Sequence, residues 1–374
     1  MVARRPEETV DHAQPTGNPP NVDFFGSTVA EQGFWPRSTS AFVARNLRSP
    51  ILIFGLPRSG TTWLAKLFDS HTDTLYRHEP DIELREDRLP YACRPEDWLT
   101  HRDRARQYLV RLLDTHTVKT GGPPPSFAKS FRSSPADMLR AASIFALRGA
   151  ATMPAIGEVF QHIPVSDLIP ARNRSAVRPI FKSVSAEGRV GLFAEALPES
   201  RIIFLIRHPC GQIASRLRGI SLGRMGMPVK PGDAVEFTSL DQAKSHCLTA
   251  EKFEAMAPIE QLAWYWVILN EKAIDDLAGR ATARIVRYED LCARPLATTQ
   301  DLFGFVGLDW SPQTEDFITE STSYKGFYRY FGVRRNSPET ADKWRTALSP
   351  EEQERILLVV RRSAVGAMYG ECAY

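Results

Sequence analysis

The stretch ILIFGLPRSGTTWLAKLF, residues 51–68, constrains the fold of this chain more than any other. A four-residue apolar run enters a glycine turn, and an amphipathic segment leaves it with Trp63, Leu64, Leu67 and Phe68 at helical spacing. In that strand–loop–helix order, backbone N–H groups at a helix start cradle a phosphate. The loop Gly55-Leu56-Pro57-Arg58-Ser59-Gly60-Thr61-Thr62 keeps both glycines and the final Thr of an ATP-type phosphate loop. Where that loop needs Lys, this one has Thr61, and a positive charge sits three positions earlier at Arg58. Arg is a planar, permanently charged fork suited to the oxygens of a phosphate or sulfate. Gly60 permits close approach of the anion, and Ser59, Thr61 and Thr62 add hydroxyl donors. The bland alternative is a tight strand–helix connection with an incidental Arg; two glycines, a proline, three hydroxyls and an Arg in eight residues count against it.

Short apolar runs recur downstream between longer helical patterns. Strands are expected at Pro179–Ser183, Arg201–Ile206 and Ala283–Tyr288. Helices are expected at Glu96–Thr115, Pro135–Leu147, Val190–Leu197, from Pro209 through about Arg218, at Pro258–Leu277 and at Pro295–Val306. A last helix begins at Ser349-Pro350-Glu351-Glu352, a capping Ser with Pro at the first helical position, and is expected to run to about Met368. This alternation predicts an α/β fold, a P-loop NTPase-like three-layer α/β/α arrangement with a central parallel sheet and helical insertions. The expected organisation is a tail and packing segment over 1–45 and a single domain over 46–374. That domain carries an insertion at about 80–175 that is either a surface feature or an acceptor-side wall, and a loop or lid at about 220–250.

A net charge of +3 on 374 residues gives no footprint for a nucleic-acid partner. Five cysteines without a CxxC pair fit a reducing compartment, and no run approaches the length of a transmembrane helix. The polar start of the chain lacks the apolar stretch of a signal peptide. Together these features predict a cytoplasmic protein without a membrane span. The histidines show no metal-ligand spacing, so no metal is expected. Oligomeric state is not legible.

PRSGTTW, following a strand, resembles the 5′-phosphosulfate-binding loop of sulfotransferases that use 3′-phosphoadenylyl sulfate (PAPS). The Arg form is closer to the carbohydrate and tyrosyl-protein members than to the cytosolic small-molecule enzymes. RIIFLIRHPCGQIASRLR at 201–218 is similar to the family's 3′-phosphate element, which implies roles for Arg207 and, eight positions on, Ser215. IVRYEDL at 285–291 and DKWRTALSPEEQERI at 342–356 also resemble family segments, the former read as mainly structural. The likeness covers roughly residues 50–80, 180–220 and 283–360. It implies PAPS as donor, PAP (3′-phosphoadenosine 5′-phosphate) as product, and a hydroxyl acceptor: a glycan, a lipid-linked sugar or a metabolite alcohol. Pro57, Arg58, Ser59, Gly60, Thr61 and Thr62 then bind the donor, Trp63 stacks on adenine or is a core residue, and Arg334 and Arg335 belong to a closing loop.

Sulfuryl transfer to a hydroxyl needs an in-line pose, charge stabilisation and removal of a proton. Arg58 suits the charge. The resemblance places the base at Glu79, in Tyr76-Arg77-His78-Glu79-Pro80; His78 is the rival, because neutral imidazole is a competent base near pH 7. On an extended segment the two face opposite ways. A structural role for Glu79, pairing Arg77 or Arg58, stays open. Lys182 either reaches the sulfate or acceptor, or is a solvated strand-end Lys. A metal-dependent P-loop kinase or hydrolase needs a Lys and metal ligands that the chain does not offer, and a non-catalytic nucleotide-binding or scaffold protein predicts PAP binding without turnover.

Overall fold

Ile51–Phe54 (β1) is buried at every position, and the alternation of a strand sorts its side chains onto two faces. Ile51 and Ile53 join one apolar cluster with Leu64, Phe68 and Phe303, while Leu52 and Phe54 join another with Phe181, Phe193 and Trp266. A strand greasy on both faces needs a layer of helices on each. The computed structural model describes residues 49–153, 157–230, 232–323 and 337–370.

Thr74–His78 (β2), Arg178–Lys182 (β3), Arg201–Ile206 (β4) and Ala283–Arg287 (β5) complete a sheet of order β2-β3-β1-β4-β5 in which every pairing is parallel. The chain leaves β1 toward β2 and β3, then crosses to β4 on the other side of β1. That reversal opens a crevice at the carboxyl end of β1, where open α/β sheets bind ligands.

Helices Thr61–Asp69 (α1), Pro295–Val306 (α2) and Pro312–Thr322 (α3) cover the Ile51–Ile53 face. Trp98–Asp114 (α4), Val190–Ala196 (α5), Pro258–Leu277 (α6) and Pro350–Val360 (α7) contribute to the Leu52–Phe54 cluster, as does Pro209–Ser221 (α8) through Cys210 and Ile213. The start of α7 is a capping box: Ser349 Oγ accepts from the Glu352 N–H at 3.1 Å, and Glu352 Oε2 accepts from the Ser349 N–H at 2.7 Å.

Three expectations need correction. Residues 220–250 are not one loop: α8 reaches Ser221, and short helices follow at Ala234–Thr238 and Asp241–Ser245, with a third at Ala250–Glu254. Phe237, Leu240 and Phe253 are buried in the larger core, which the scattered Gly, Met and Pro of this stretch concealed. The last helix stops at Val360, and a separate 3-10 turn forms at Gly366–Tyr369. The insertion divides: α4 buries Leu109 and Leu112 in the core, whereas Ser134–Ala150 buries only Ile144. The segment expected over residues 1–45 lies outside the described residues.

Candidate active site

The loop after β1 is shaped by two positions that exclude a side chain. A Cβ at Gly55 would lie 2.5 Å from the Leu205 carbonyl oxygen, and one at Gly60, whose φ is 100°, would lie 2.5 Å from the Tyr288 ring. The Ser59 N–H and Oγ both donate to the Leu56 carbonyl, at 3.1 and 2.7 Å, and close the turn. Ser59 therefore spends its hydroxyl on loop geometry. Arg58 crowns the turn at φ 77°, a left-handed conformation unusual for a residue with a side chain. Gly60 begins α1 with no side-chain cap, so the helix start presents its N–H groups and the positive end of its dipole toward the crevice. Thr61 is buried there and Thr62 is half-buried.

β1 and β4 are neighbours, so the loop after one meets the helix after the other. Arg58 Nε donates to Ser215 Oγ at 3.0 Å, Arg207 Nη1 to the Arg58 carbonyl at 3.2 Å, and Gln212 Nε2 to the Pro57 carbonyl at 2.6 Å. The phosphate loop and the Arg207–Ser215 element are thus one hydrogen-bonded group. Arg207 is 6% exposed; its Nη2 donates to the Thr340 carbonyl at 3.0 Å, and its guanidinium lies 4.7 Å from the centre of the Tyr288 ring. Its Nε is buried with no hydrogen-bond partner among the described residues. Glu289, in the IVRYEDL segment, accepts from the His208 N–H at 3.0 Å, and His208 stacks on Trp344 at 4.4 Å.

On the other side of β1, β3 ends at Lys182, in register with both Ile53 of β1 and His78 of β2. Lys182 is 1% exposed, and its ammonium donates to Glu79 Oε1. Glu79 does not continue the strand. Its φ of 46° and ψ of 48° turn the chain, and its Oε2 comes within 4.0 Å of His78 Nε2. The left-handed backbone cancels the alternation that was expected to separate the two side chains. Arg77 faces away and pairs with Asp167 at 2.5 Å, so Lys182 is the partner of Glu79.

Burial pushes the Glu79 carboxyl up, but Lys182 and His78 outweigh it and hold it at about 2. Burial pushes His78 down to about 4, more than the nearby Glu79 charge restores. At neutral pH this is an ionised carboxylate beside a neutral imidazole whose Nδ1 is bonded to the Tyr76 hydroxyl at 2.8 Å.

Sequence reasoning missed Asp81. Ser183 Oγ donates to one of its oxygens at 2.5 Å, the other is buried without a partner among the described residues, and burial, with Glu79 adding to it, raises the carboxyl to about 7. No spacing rule marks an acid two residues past a candidate base. Gln212 was also missed, since a helical Gln gives no sequence signal of a contact 155 residues away. Trp63 is buried, donates its indole N–H to Ser321 Oγ at 3.1 Å and meets Tyr288 edge-on, the contacts of a core residue. Arg334 and Arg335 lie outside the described residues. Among the described residues no group of His, Cys, Asp and Glu could hold a metal, and no helix is long and apolar enough to cross a membrane.

A family model described as "Sulfotransferase family" matches residues 50–312. Human carbohydrate sulfotransferase 1 is 26% identical over 352 residues, 86% of this chain and 80% of the relative. Mouse carbohydrate sulfotransferase 5 is 25% identical over 334 residues, 82% and 75% of the two chains. Among solved structures, a mouse sulfotransferase complexed with PAP, SULT7A1, is 13% identical with a TM-score of 0.41, covering 90% of this chain and 94% of its own. A sulfotransferase domain from the curacin biosynthetic pathway is 17% identical with a TM-score of 0.39, covering 83% and 96%. These relatives correct the expected location: they are carbohydrate sulfotransferases, not cytoplasmic enzymes, and cysteine usage does not place this chain in the cytoplasm. The match spans β1, the phosphate loop, the Arg207 element and β5, and with it the chain belongs to the sulfotransferase family, enzymes that transfer a sulfuryl group from PAPS and release PAP.

Proposed function

We propose that this sulfotransferase acts on a glycan hydroxyl with Glu79 as general base. The observation that carries the proposal is the Glu79–Lys182 pair, set at the carboxyl ends of β2 and β3 beside the phosphate loop of β1. The naming of the matched relatives as carbohydrate sulfotransferases supports a glycan as acceptor.

The chain's residues fit the donor. The uncapped start of α1 and Arg58 suit the 5′ phosphosulfate, with Thr61 and Thr62 alongside. Arg207, whose buried Nε lacks a partner among the described residues, suits the 3′-phosphate together with Ser215. When bound, PAPS supplies the sulfuryl group, and PAP departs with both electrons of the broken sulfur–oxygen bond. Glu79 accepts the proton of the attacking hydroxyl, and the new sulfur–oxygen bond forms from the oxygen lone pair so released. β1 and β2 are two strand spacings apart, roughly 10 Å, and Lys182 stands midway. From there its ammonium stabilises charge on the transferring oxygens while Arg58 serves the bridging oxygen. His78, neutral and held by Tyr76, orients Glu79.

The test is transfer of radiolabelled sulfur from PAPS to an oligosaccharide panel by the wild type and by Glu79→Gln. The variant should bind PAP normally and transfer roughly 10²–10⁴-fold more slowly. Turnover near that of the wild type would remove Glu79 as the base.

A further inference from the structure

Behind Tyr76 lies a second pocket, between the carboxyl half of α1, β2 and residues 121–132. Four cationic side chains, Lys66, Lys129, Arg132 and Arg140, line it together with the Asp69 carboxylate and the apolar Leu75 and Phe127. Lys129 is fully engaged, by Asp69, by the His71 carbonyl at 3.0 Å and by the Thr74 hydroxyl at 3.2 Å. Lys66 donates to Asp69 at 2.5 Å and to the Pro125 carbonyl at 2.6 Å, and its ammonium lies 4.6 Å from the centre of the Phe127 ring. Arg132 donates through Nε and Nη1 to Asp137 and the Asp167 carbonyl, and Arg140 through Nε and Nη2 to the Ser166 carbonyl and Asp167. Nη2 of Arg132 and Nη1 of Arg140 have no hydrogen-bond partner among the described residues. Ser126 adds a hydroxyl at the exposed rim.

The carboxylates do not balance these cations. Asp69 serves both lysines, Asp167 serves both Arg77 and Arg140, and only Arg132 has an acid, Asp137, to itself. Unbalanced buried charge is costly, and a bound anion removes the cost. Burial holds Lys66 below its ordinary value and brings Lys129 to about 8 against the pull of Asp69, and neighbouring cations add to the lowering.

We propose that this pocket binds a single oxyanion group, a sulfate, phosphate or carboxylate. Tyr76 forms its wall and bonds to His78, the neighbour of Glu79, so the pocket adjoins the acceptor side of the reaction centre. The oxyanion is either an acidic substituent of the acceptor, which rests on the glycan transfer proposed above, or a free anion, which does not.

Inorganic sulfate titrated calorimetrically into protein saturated with PAP tests the site with the phosphate loop already filled. The wild type should bind sulfate saturably. Arg140→Gln and Ser126→Glu should bind it roughly 10–100-fold more weakly with PAP affinity unchanged. Ser126 is exposed, so its replacement reads charge rather than folding. No saturable binding by the wild type, or equal binding by both variants, overturns the proposal. A second arm compares acidic and neutral oligosaccharide acceptors. A preference for the acidic one that Ser126→Glu abolishes assigns the oxyanion to the acceptor, and a preference unmoved assigns it to a free anion. Failure of transfer to every glycan leaves the titration standing, so the two readings fail separately.

Discussion

Replacing Lys182 with Met should expose how this site sets the basicity of Glu79. The ammonium is 1% exposed, and the Glu79 side chain it holds is 20% exposed. Breaking a buried ion pair from one side costs about 3–5 kcal/mol. The low end applies here, because Glu79 keeps some solvent and can take up a proton instead. Burial is the largest influence on its carboxyl, and it raises; Lys182 is the first of the charges that reverse it. Without Lys182 the carboxyl should therefore climb from about 2 to above its ordinary 4.5. In the wild type, Glu79 is ionised throughout the working range and puts no acid limb on kcat/KM above pH 5. In Lys182→Met an acid limb should appear between roughly pH 5 and 7. The sign for stability follows from the same shift. A carboxyl depressed in the fold stabilises fully above its unfolded value and loses that contribution as pH falls through the folded one. The wild type's advantage over Lys182→Met in urea unfolding should thus be largest at neutral pH and shrink as the solution is acidified. A flat rate profile in the variant, with unchanged stability, would refute the coupling.

Other outcomes are equally specific. Arg58→Gly removes the guanidinium but relieves the φ of 77°, so turnover should fall sharply while urea stability rises by about 1 kcal/mol or holds. Arg207→Ala should weaken PAP by roughly 2–5 kcal/mol in calorimetry, and unchanged affinity would remove its role at the 3′-phosphate. Asp81→Asn should stabilise the protein by roughly 2–4 kcal/mol above pH 7, because a carboxyl raised to about 7 destabilises the fold increasingly from its unfolded 3.8 upward; the gain should vanish near pH 4. His78→Gln should flatten the loss of stability between pH 6.5 and 4, the window in which the unfolded imidazole takes a proton that the folded one, at about 4, refuses.

β1, β4 and the phosphate loop were legible because local pattern dictates them, apolar runs of four and six residues and glycines where backbone and ring leave no room, whereas β2, Thr74–His78, alternates polar and apolar residues and was not expected as a strand. β4 and the helices at Pro258–Leu277 and Pro295–Val306 fall where the pattern places them. The side-chain partnerships were not legible. Arg77 and Glu79 are two apart in sequence but the turn at Glu79 separates their partners, sending one to Asp167 and the other to Lys182. Trp63 has the spacing of either a ring platform or a core residue, and its bond to Ser321, 258 residues away, leaves no mark in the local sequence. Residues 220–250 hid two short helices because each is five residues long, too short to show a period.

The three bonds that join the phosphate loop to the Arg207 element span 149 to 157 residues. Contacts so distant along the chain form only after β1 and β4 have paired and a long loop has closed, at an entropic cost that nearer contacts do not meet. The donor pocket is therefore among the last features to assemble. In a refolding experiment, helical signal should return well before PAP can bind, and PAP present from the start should slow unfolding more than it speeds folding.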